Sequence, residues 1–238
     1  MGCLDTLGVI AFNVNLLLCT TLSYIIAKVG SFCECCCPLR PGAKRTRLVL
    51  WITCICWRLL FALSCWVRVR VDGLDEYRRK LGSSRRPCII VSNHLSFLDT
   101  MLLVPLTPLT KVTRVKMLVS SHLLKMPFLR TIVRMMGHIV VPFKRGADPG
   151  SFELDKDLMA IRQQQLEDHV RAGGIAGWFP EGRMNTSDPL EVGMFRAGGF
   201  ALPVHLDVEI WCVAFVGNSR CWPRTAAAGG PPAPNRGR

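Results

Sequence analysis

The sequence predicts an α/β domain, a mixed and largely parallel sheet with flanking helices, preceded by N-terminal membrane helices. Short apolar runs at 88–91, 139–143, 175–179 and 208–215 have the length of buried strands. Between them lie segments with helix starts, helical spacing and glycine stops, at 96–104, 127–136 and 151–172. Alternation of this kind is the pattern of a sheet covered by helices. Before residue 70, two longer apolar runs, 6–27 and 48–67, have the composition of membrane segments.

Half of the 238 residues are hydrophobic and the mean hydropathy is +0.28, too apolar for an ordinary soluble chain. Three parts are expected: membrane-anchoring segments with a basic, Cys-rich loop at 1–67, one globular domain at 68–222, and a tail at 223–238. The middle part, roughly 150 residues, suffices for one core. The tail is rich in Ala, Gly and Pro and reads as disordered. A net charge of +13 requires an anionic partner. The apolar N-terminus favours membrane lipids over nucleic acid, for which there is neither zinc-finger spacing nor an aromatic RNP-type run.

Residues 6–27 carry no charge between Asp5 and Lys28, and about 20 apolar residues cross a hydrocarbon core of roughly 30 Å. Asn13 and Asn15 weaken this span without abolishing it. A cleaved signal peptide fits poorly, since no Lys or Arg precedes the run. Met1-Gly2-Cys3-Leu4-Asp5-Thr6 matches the N-myristoylation pattern, with a chance match as the competing reading because a cytosolic N-terminus conflicts with the topology below. Of the 12 cysteines, Cys33, Cys35, Cys36 and Cys37 cluster and Cys54, Cys56 and Cys65 lie in an apolar run, which is no disulfide framework. S-acylation and free thiols both fit. Cys33 and Cys36 have CxxC spacing without a second ligand pair, so no metal is expected.

Pro38, Arg40, Pro41, Gly42, Lys44, Arg45 and Arg47 read as a loop at an anionic surface. In the run 48–67, Arg58 costs about 3 kcal/mol on an insertion scale, which about ten apolar residues at roughly 0.3–0.6 kcal/mol each only just offset. Basic residues flank both ends, with Arg68, Arg70, Arg78, Arg79 and Lys80 following. The positive-inside rule then places both flanks in the cytosol, and a re-entrant or interfacial second segment satisfies it. Val67, Val69 and Val71 alternate with Arg68 and Arg70 as in a half-exposed strand, ended near Gly73.

The stretch Asn93-His94-Leu95-Ser96-Phe97-Leu98-Asp99 follows directly on the apolar run 88–91. On one continuous helix, residues five apart point about 140° away from each other, but across a strand-to-helix turn His94 and Asp99 can meet. A carboxylate that fixes an imidazole tautomer makes a general base for a hydroxyl, with no separate nucleophile required. The competing reading is a capping box of Ser96 and Asp99 with His94 as a satisfied loop histidine.

At these residues the chain resembles the glycerolipid acyltransferases, the group containing 1-acylglycerol-3-phosphate acyltransferase, whose first block is NHxSxxD. The resemblance implies that His94 is the base activating the acceptor hydroxyl for attack on an acyl thioester and that Asp99 supports it.

Residues 116–137 contain Pro127-Phe128, a helical run to Met136, and Gly137 as a stop. The family's second block places a phosphate-binding arginine six residues after a glycine. Counted from Gly137 that position is Phe143, so the implied cationic role passes to Lys144 or Arg145. Asp148-Pro149-Gly150 reads as a turn and Ser151 as an N-cap, with Leu154, Leu158 and Ile161 on the packing face of the next helix.

The run 175–179 leads into Pro180-Glu181-Gly182-Arg183. Gly182 permits close backbone approach, and a guanidinium at a strand end can grip phosphate. Phe179, Pro180, Glu181 and Gly182 resemble the family's FPEGTR block, with Arg183 in place of its threonine and Met184 in place of its arginine. Glu181, Gly182 and Arg183 are thereby implied at the acceptor, Arg183 serving from one position earlier. Phe195-Arg196-Ala197-Gly198 resembles the Phe-Lys-x-Gly segment that follows. In the expected fourth block Glu209 and Cys212 stand where prolines would fall, so no site residues are carried over there. His122, His138, His169 and His205 read as structural or exposed.

The reaction implied is transfer of a fatty acyl group from acyl-CoA, as co-substrate, to lysophosphatidic acid at a membrane, most simply the endoplasmic reticulum with the domain facing the cytosol. No metal or bound cofactor is implied. Two alternatives are an acyltransferase for another lysophospholipid acceptor and a non-catalytic membrane-binding relative.

Overall fold

The computed structural model describes residues 3–36, 43–145, 152–185, 191–222, 224–226 and 228–230, with the backbone alone at 30–36, 43–44, 145 and 152. Two long helices, α1 (Cys3–Cys36) and α2 (Ala43–Leu63), pack on each other and precede α3 (Leu74–Ser83) and the central strand β1 (Cys88–Ser92). Then come α4 (Leu98–Leu106), α5 (Leu109–Val112), β2 (Val115–Ser120), α6 (Pro127–Met135), β3 (Ile139–Val141), β4 (Phe143–Arg145) and β5 (Phe152–Leu154). The chain continues through α7 (Lys156–Arg171), β6 (Ile175–Trp178), α8 (Ala201–His205), β7 (Glu209–Val213) and α9 (Asn218–Cys221).

Five strands form one sheet in the order β3-β2-β6-β1-β7, with every pairing parallel. The expected α/β architecture is the observed one. β1 and β6 are buried along their whole length, as strands covered on both faces must be, which is why their sequences run apolar without alternation. Successive side chains still point to opposite faces. Cys88 and Ile90 face the layer holding α2 and α4, beside Cys54, Leu60, Leu98 and Leu102. Ile89 and Val91 face α7 and α8, beside Leu166, Val170 and Leu202.

Several elements depart from the expectation. β2 was not expected: it runs into the 116–137 stretch ahead of the helical run there, and its Val115, Met117 and Val119 are buried in alternation with half-buried neighbours. The run 139–143 divides at Pro142, which has no N–H to continue a ladder. β3 joins the sheet, while β4 pairs antiparallel with β5 in a separate ribbon. The strand expected at 66–71 does not form, and Val69 and Val71 are exposed. Alternation supplied a pattern there, but the segment pairs with none of the described strands. α7 is capped by Asp155, whose Oδ1 accepts the Leu158 N–H at 3.1 Å, not by Ser151, which lies with the 148–150 turn outside the described residues. Leu158 and Ile161 are exposed, and the packed residues are Leu166 and Val170 in the C-terminal half of the helix.

Arg58 is docked on the domain. Its guanidinium donates to the Pro105 and Thr107 carbonyls, and Arg78 adds bonds to the Pro105 and Leu106 carbonyls. Both satisfy backbone groups that the end of α4 leaves unpaired.

Of the expected tail, residues 224–226 and 228–230 are described. Gly230 bonds the Cys221 carbonyl through its N–H and accepts from Trp66 Nε1 at 3.1 Å, and Asn13 Nδ2 donates to the Gly229 carbonyl at 2.9 Å. A Cβ on Gly230 would collide with Phe12. The same lack of side chains that prevents this segment from building a core lets it lie against α1. Residues 231–238, Gly2, Cys37 and the side chains of Cys33, Cys35 and Cys36 lie outside what is described.

Candidate active site

The turn after β1 opens at the carboxyl end of the sheet, where parallel α/β sheets bind ligands. β1 delivers Asn93 and His94, and the chain reverses through Leu95 and Ser96 before α4 starts, so Asp99 in its first turn comes back beneath the histidine. His94 Nδ1 stands 2.9 Å from Asp99 Oδ2. Asp99 is fully buried, and the His94 side chain is about one-fifth exposed at 19%.

Asp99 Oδ2 also accepts the N–H groups of Leu95 and Ser96, at 2.5 and 2.7 Å, and Oδ1 accepts Asn218 Nδ2 at 2.7 Å. With the Leu95 and Ser96 N–H groups and the Asn218 amide already donating to it, the carboxylate meets the imidazole as an acceptor. Nδ1 of His94 is then the protonated nitrogen, and Nε2 keeps its lone pair. Ser96 Oγ accepts the Leu98 N–H at 3.2 Å, so the carboxylate that meets the imidazole also closes the turn into α4.

The segment after β6 closes the site from the other side. Phe179 stacks on the His94 ring at 4.0 Å between centroids and 11° between planes. Glu181, only 4% exposed, accepts the His94 N–H on Oε1 at 3.0 Å, and Asn185 N–H bonds the His94 carbonyl at 2.6 Å. Glu181 thus supports the histidine's backbone. Its Oε2 is buried against Gly193.

Gly182 adopts φ +68°, and a Cβ there would stand 2.5 Å from Arg196 Nε. The glycine is required both by its conformation and by the packing of that guanidinium. Arg183 is exposed at the end of this turn. Lys144 is exposed on the β4–β5 ribbon, and among the described residues no hydrogen bond or ion pair joins it to the His94 cluster. The Arg145 side chain lies outside what is described. Hydrogen bonds join His94 to Asp99 and Glu181, Gly182 and Arg183 follow Glu181 in the chain, and Lys144 is not linked to them.

Three contributors escaped the sequence reading as site residues. Asn93 exchanges hydrogen bonds with the Phe215 backbone, at 2.9 and 2.7 Å, tying the turn to the segment after β7. Arg196 lies over Gly182 and bonds the Glu181 carbonyl at 3.4 Å; its place in the Phe195-Arg196-x-Gly segment was the available signal. Asn218 lies 119 residues from Asp99, and nothing in its neighbourhood distinguishes it from an ordinary turn asparagine.

A family model described as Acyltransferase matches residues 68–216. The chain belongs to this acyltransferase family. The chloroplastic 1-acyl-sn-glycerol-3-phosphate acyltransferase BAT2 of Brassica napus is 29% identical over 153 residues, 64% of this chain and 38% of the relative. The chloroplastic 1-acyl-sn-glycerol-3-phosphate acyltransferase LPAT1 of Arabidopsis thaliana is 26% identical over 156 residues, 66% of this chain and 38% of the relative. The chain thus spans under two-fifths of the length of the curated relatives it matches. The crystal structure of the 1-acyl-sn-glycerophosphate (LPA) acyltransferase PlsC from Thermotoga maritima superposes with a TM-score of 0.54 at 19% identity, covering 92% of this chain and 82% of the other. At that identity the likeness establishes the fold. The acyltransferase match encloses His94, Asp99 and the 179–183 segment and ends before Asn218.

Proposed function

We propose that this protein transfers a fatty acyl group from acyl-CoA to the free hydroxyl of lysophosphatidic acid, giving phosphatidic acid. The observation that carries the reading is the buried Asp99 carboxylate on His94 Nδ1, which leaves Nε2 free to accept a proton. The acceptor oxygen attacks the thioester carbonyl as Nε2 takes its proton. The tetrahedral oxyanion then collapses, the carbon–sulfur bond breaks, and the departing thiolate takes the proton from the imidazolium to leave CoA as a thiol. Each proton in the step is accounted for by His94.

The acceptor phosphate is assigned to Arg183, with Arg196 as a second guanidinium beside Gly182. The proposed division is an anchor at 1–67 and the acyltransferase domain at 68–222. Helices spanning Cys3–Val29 and Arg45–Leu63 are long and apolar enough to cross a membrane. Leu7, Val14, Leu18, Ile25, Leu59 and Leu63 are exposed on them and supply the lipid contact. The docking of Arg58 on α4 favours a second helix that lies against the domain at the membrane surface. Endoplasmic reticulum with the domain on the cytosolic side, where acyl-CoA is available, is the compartment proposed.

The test is an assay of purified membranes with labelled acyl-CoA or acylated acyl carrier protein against a panel of lysophospholipids, for the wild type and His94→Ala. Lysophosphatidic acid should be acylated from acyl-CoA, and His94→Ala should lower turnover by about 100-fold or more while the thermal melt is unchanged. Product from a different donor or acceptor alone would replace the substrate assignment. No product from any pair would make the protein a lipid-binding relative.

A further inference from the structure

The carboxylate that aligns His94 is itself held from outside the family-matched stretch. Asn218 Nδ2 donates to Asp99 Oδ1 at 2.7 Å, two positions beyond the end of the match at residue 216. We propose that Asn218 is a positioning residue for acyl transfer, keeping Asp99 oriented so that Oδ2 stays on the imidazole. The proposal rests on the reading of His94 as the base.

Asp99 is fully buried, so each oxygen needs donors within the protein. Oδ2 has three, from Leu95, Ser96 and His94, all in the turn that the carboxylate closes. Oδ1 has Asn218. Loss of that amide leaves one oxygen buried and unpaired, and rotation of the carboxylate to recover a partner carries the imidazole off line. A neutral donor suits the task, because it orients the carboxylate without cancelling the negative charge that stabilises the imidazolium. A Lys or Arg at the same place would hold Asp99 equally well and remove that charge effect.

The amide is delivered by a braced segment. Before it, Phe215 is tied to Asn93, and after it Ser96 Oγ donates to the Trp222 carbonyl at 2.8 Å. The Trp222 ring in turn packs against Phe97 of the site turn and edge-on to Phe12 of α1, with centroids 5.6 and 6.2 Å away. Both ends of α9 are thus fastened to the turn that carries His94.

The experiment measures kcat, both KM values and the pH dependence of kcat/KM for Asn218→Ala, Asn218→Asp, Asp99→Asn, the double variant Asp99→Asn with Asn218→Ala, and His94→Ala. Asn218→Ala should lower kcat by about 10-fold or more with little change in either KM. Within the Asp99→Asn background it should cost nothing further, since its target is gone. Asn218→Asp, nearly the same size, sets a second carboxyl against buried Asp99, where the pair share one proton, so its activity should fall as pH rises and that donor is lost, adding a basic limb to the profile that the wild type lacks. That variant carries the test if Asn218→Ala does not fold. An additive loss in the double variant, or a profile of Asn218→Asp without the added basic limb, would overturn the proposal in favour of a merely structural asparagine. Activity retained by His94→Ala would instead remove the base reading beneath it, whereas an inactive His94→Ala beside a wild-type-like Asn218→Ala would remove this proposal alone.

Discussion

Arg58 donates twice to the Pro105 carbonyl, through Nε at 3.0 Å and Nη2 at 2.7 Å. A charged residue near the middle of an apolar run is thereby converted from an insertion cost into the clamp between α2 and the end of α4, where a cation also meets the negative end of the helix dipole.

Arg58→Met keeps the length of the side chain and removes the donors. With carbonyls of a half-buried helix end left unpaired, the variant should be less stable by about 1.5–3 kcal/mol. A thermal melt of the detergent-solubilised protein reads this directly. An unchanged midpoint would mean that Arg78 alone satisfies these carbonyls.

Arg183 and Lys144 were both expected at the acceptor phosphate, and the fold separates their prospects. Arg183 ends the turn whose Glu181 and Asn185 bond the His94 backbone, while Lys144 stands on the ribbon outside the main sheet. Acceptor-dependent kinetics at saturating acyl-CoA should show a KM raised by about 10-fold or more for Arg183→Ala with kcat largely kept, and a smaller change for Lys144→Ala. Unchanged kinetics for Arg183→Ala would transfer the role to Arg196 or Lys144.

His138 accepts the Met117 N–H on Nδ1 at 3.3 Å and buries Nε2 without a partner among the described residues. Burial, reinforced by Lys116, pushes its pKa from 6.5 down to about 4. The unfolded chain therefore takes up this proton first as pH falls. The stabilisation is complete above about pH 6.5 and is lost towards pH 4, by up to about 1.4 kcal/mol for each pH unit. Melting temperatures measured from pH 8 to 4 should drop on the acid side, and His138→Gln should flatten that drop. Parallel curves for the two proteins would assign the acid loss elsewhere.

Local pattern made much of this legible. The fully buried strands β1 and β6 declared themselves as apolar runs because both faces are covered, and the spacing of His94 and Asp99 implied a pair once a turn was placed between them. β2 was harder to read, since its alternation includes Lys116 and Ser120 and sits directly before a helix. The failed strand at 66–71 had the better alternation of the two and pairs with none of the described strands.

The sequence by itself determined the α/β class, the apolar N-terminal helices, the His94–Asp99 pair and the Phe179–Arg183 segment, because each depends on residues close together in the chain. Only the tertiary structure decided that Glu181 turns inward to the His94 backbone, that Arg58 caps α4, that the 228–230 segment lies on α1, and that Asn218 holds Asp99. Those contacts join residues between 47 and 216 positions apart. Their existence depends on which faces the parallel sheet brings together, since a hydrogen-bonding side chain carries no mark of a distant partner until packing supplies one.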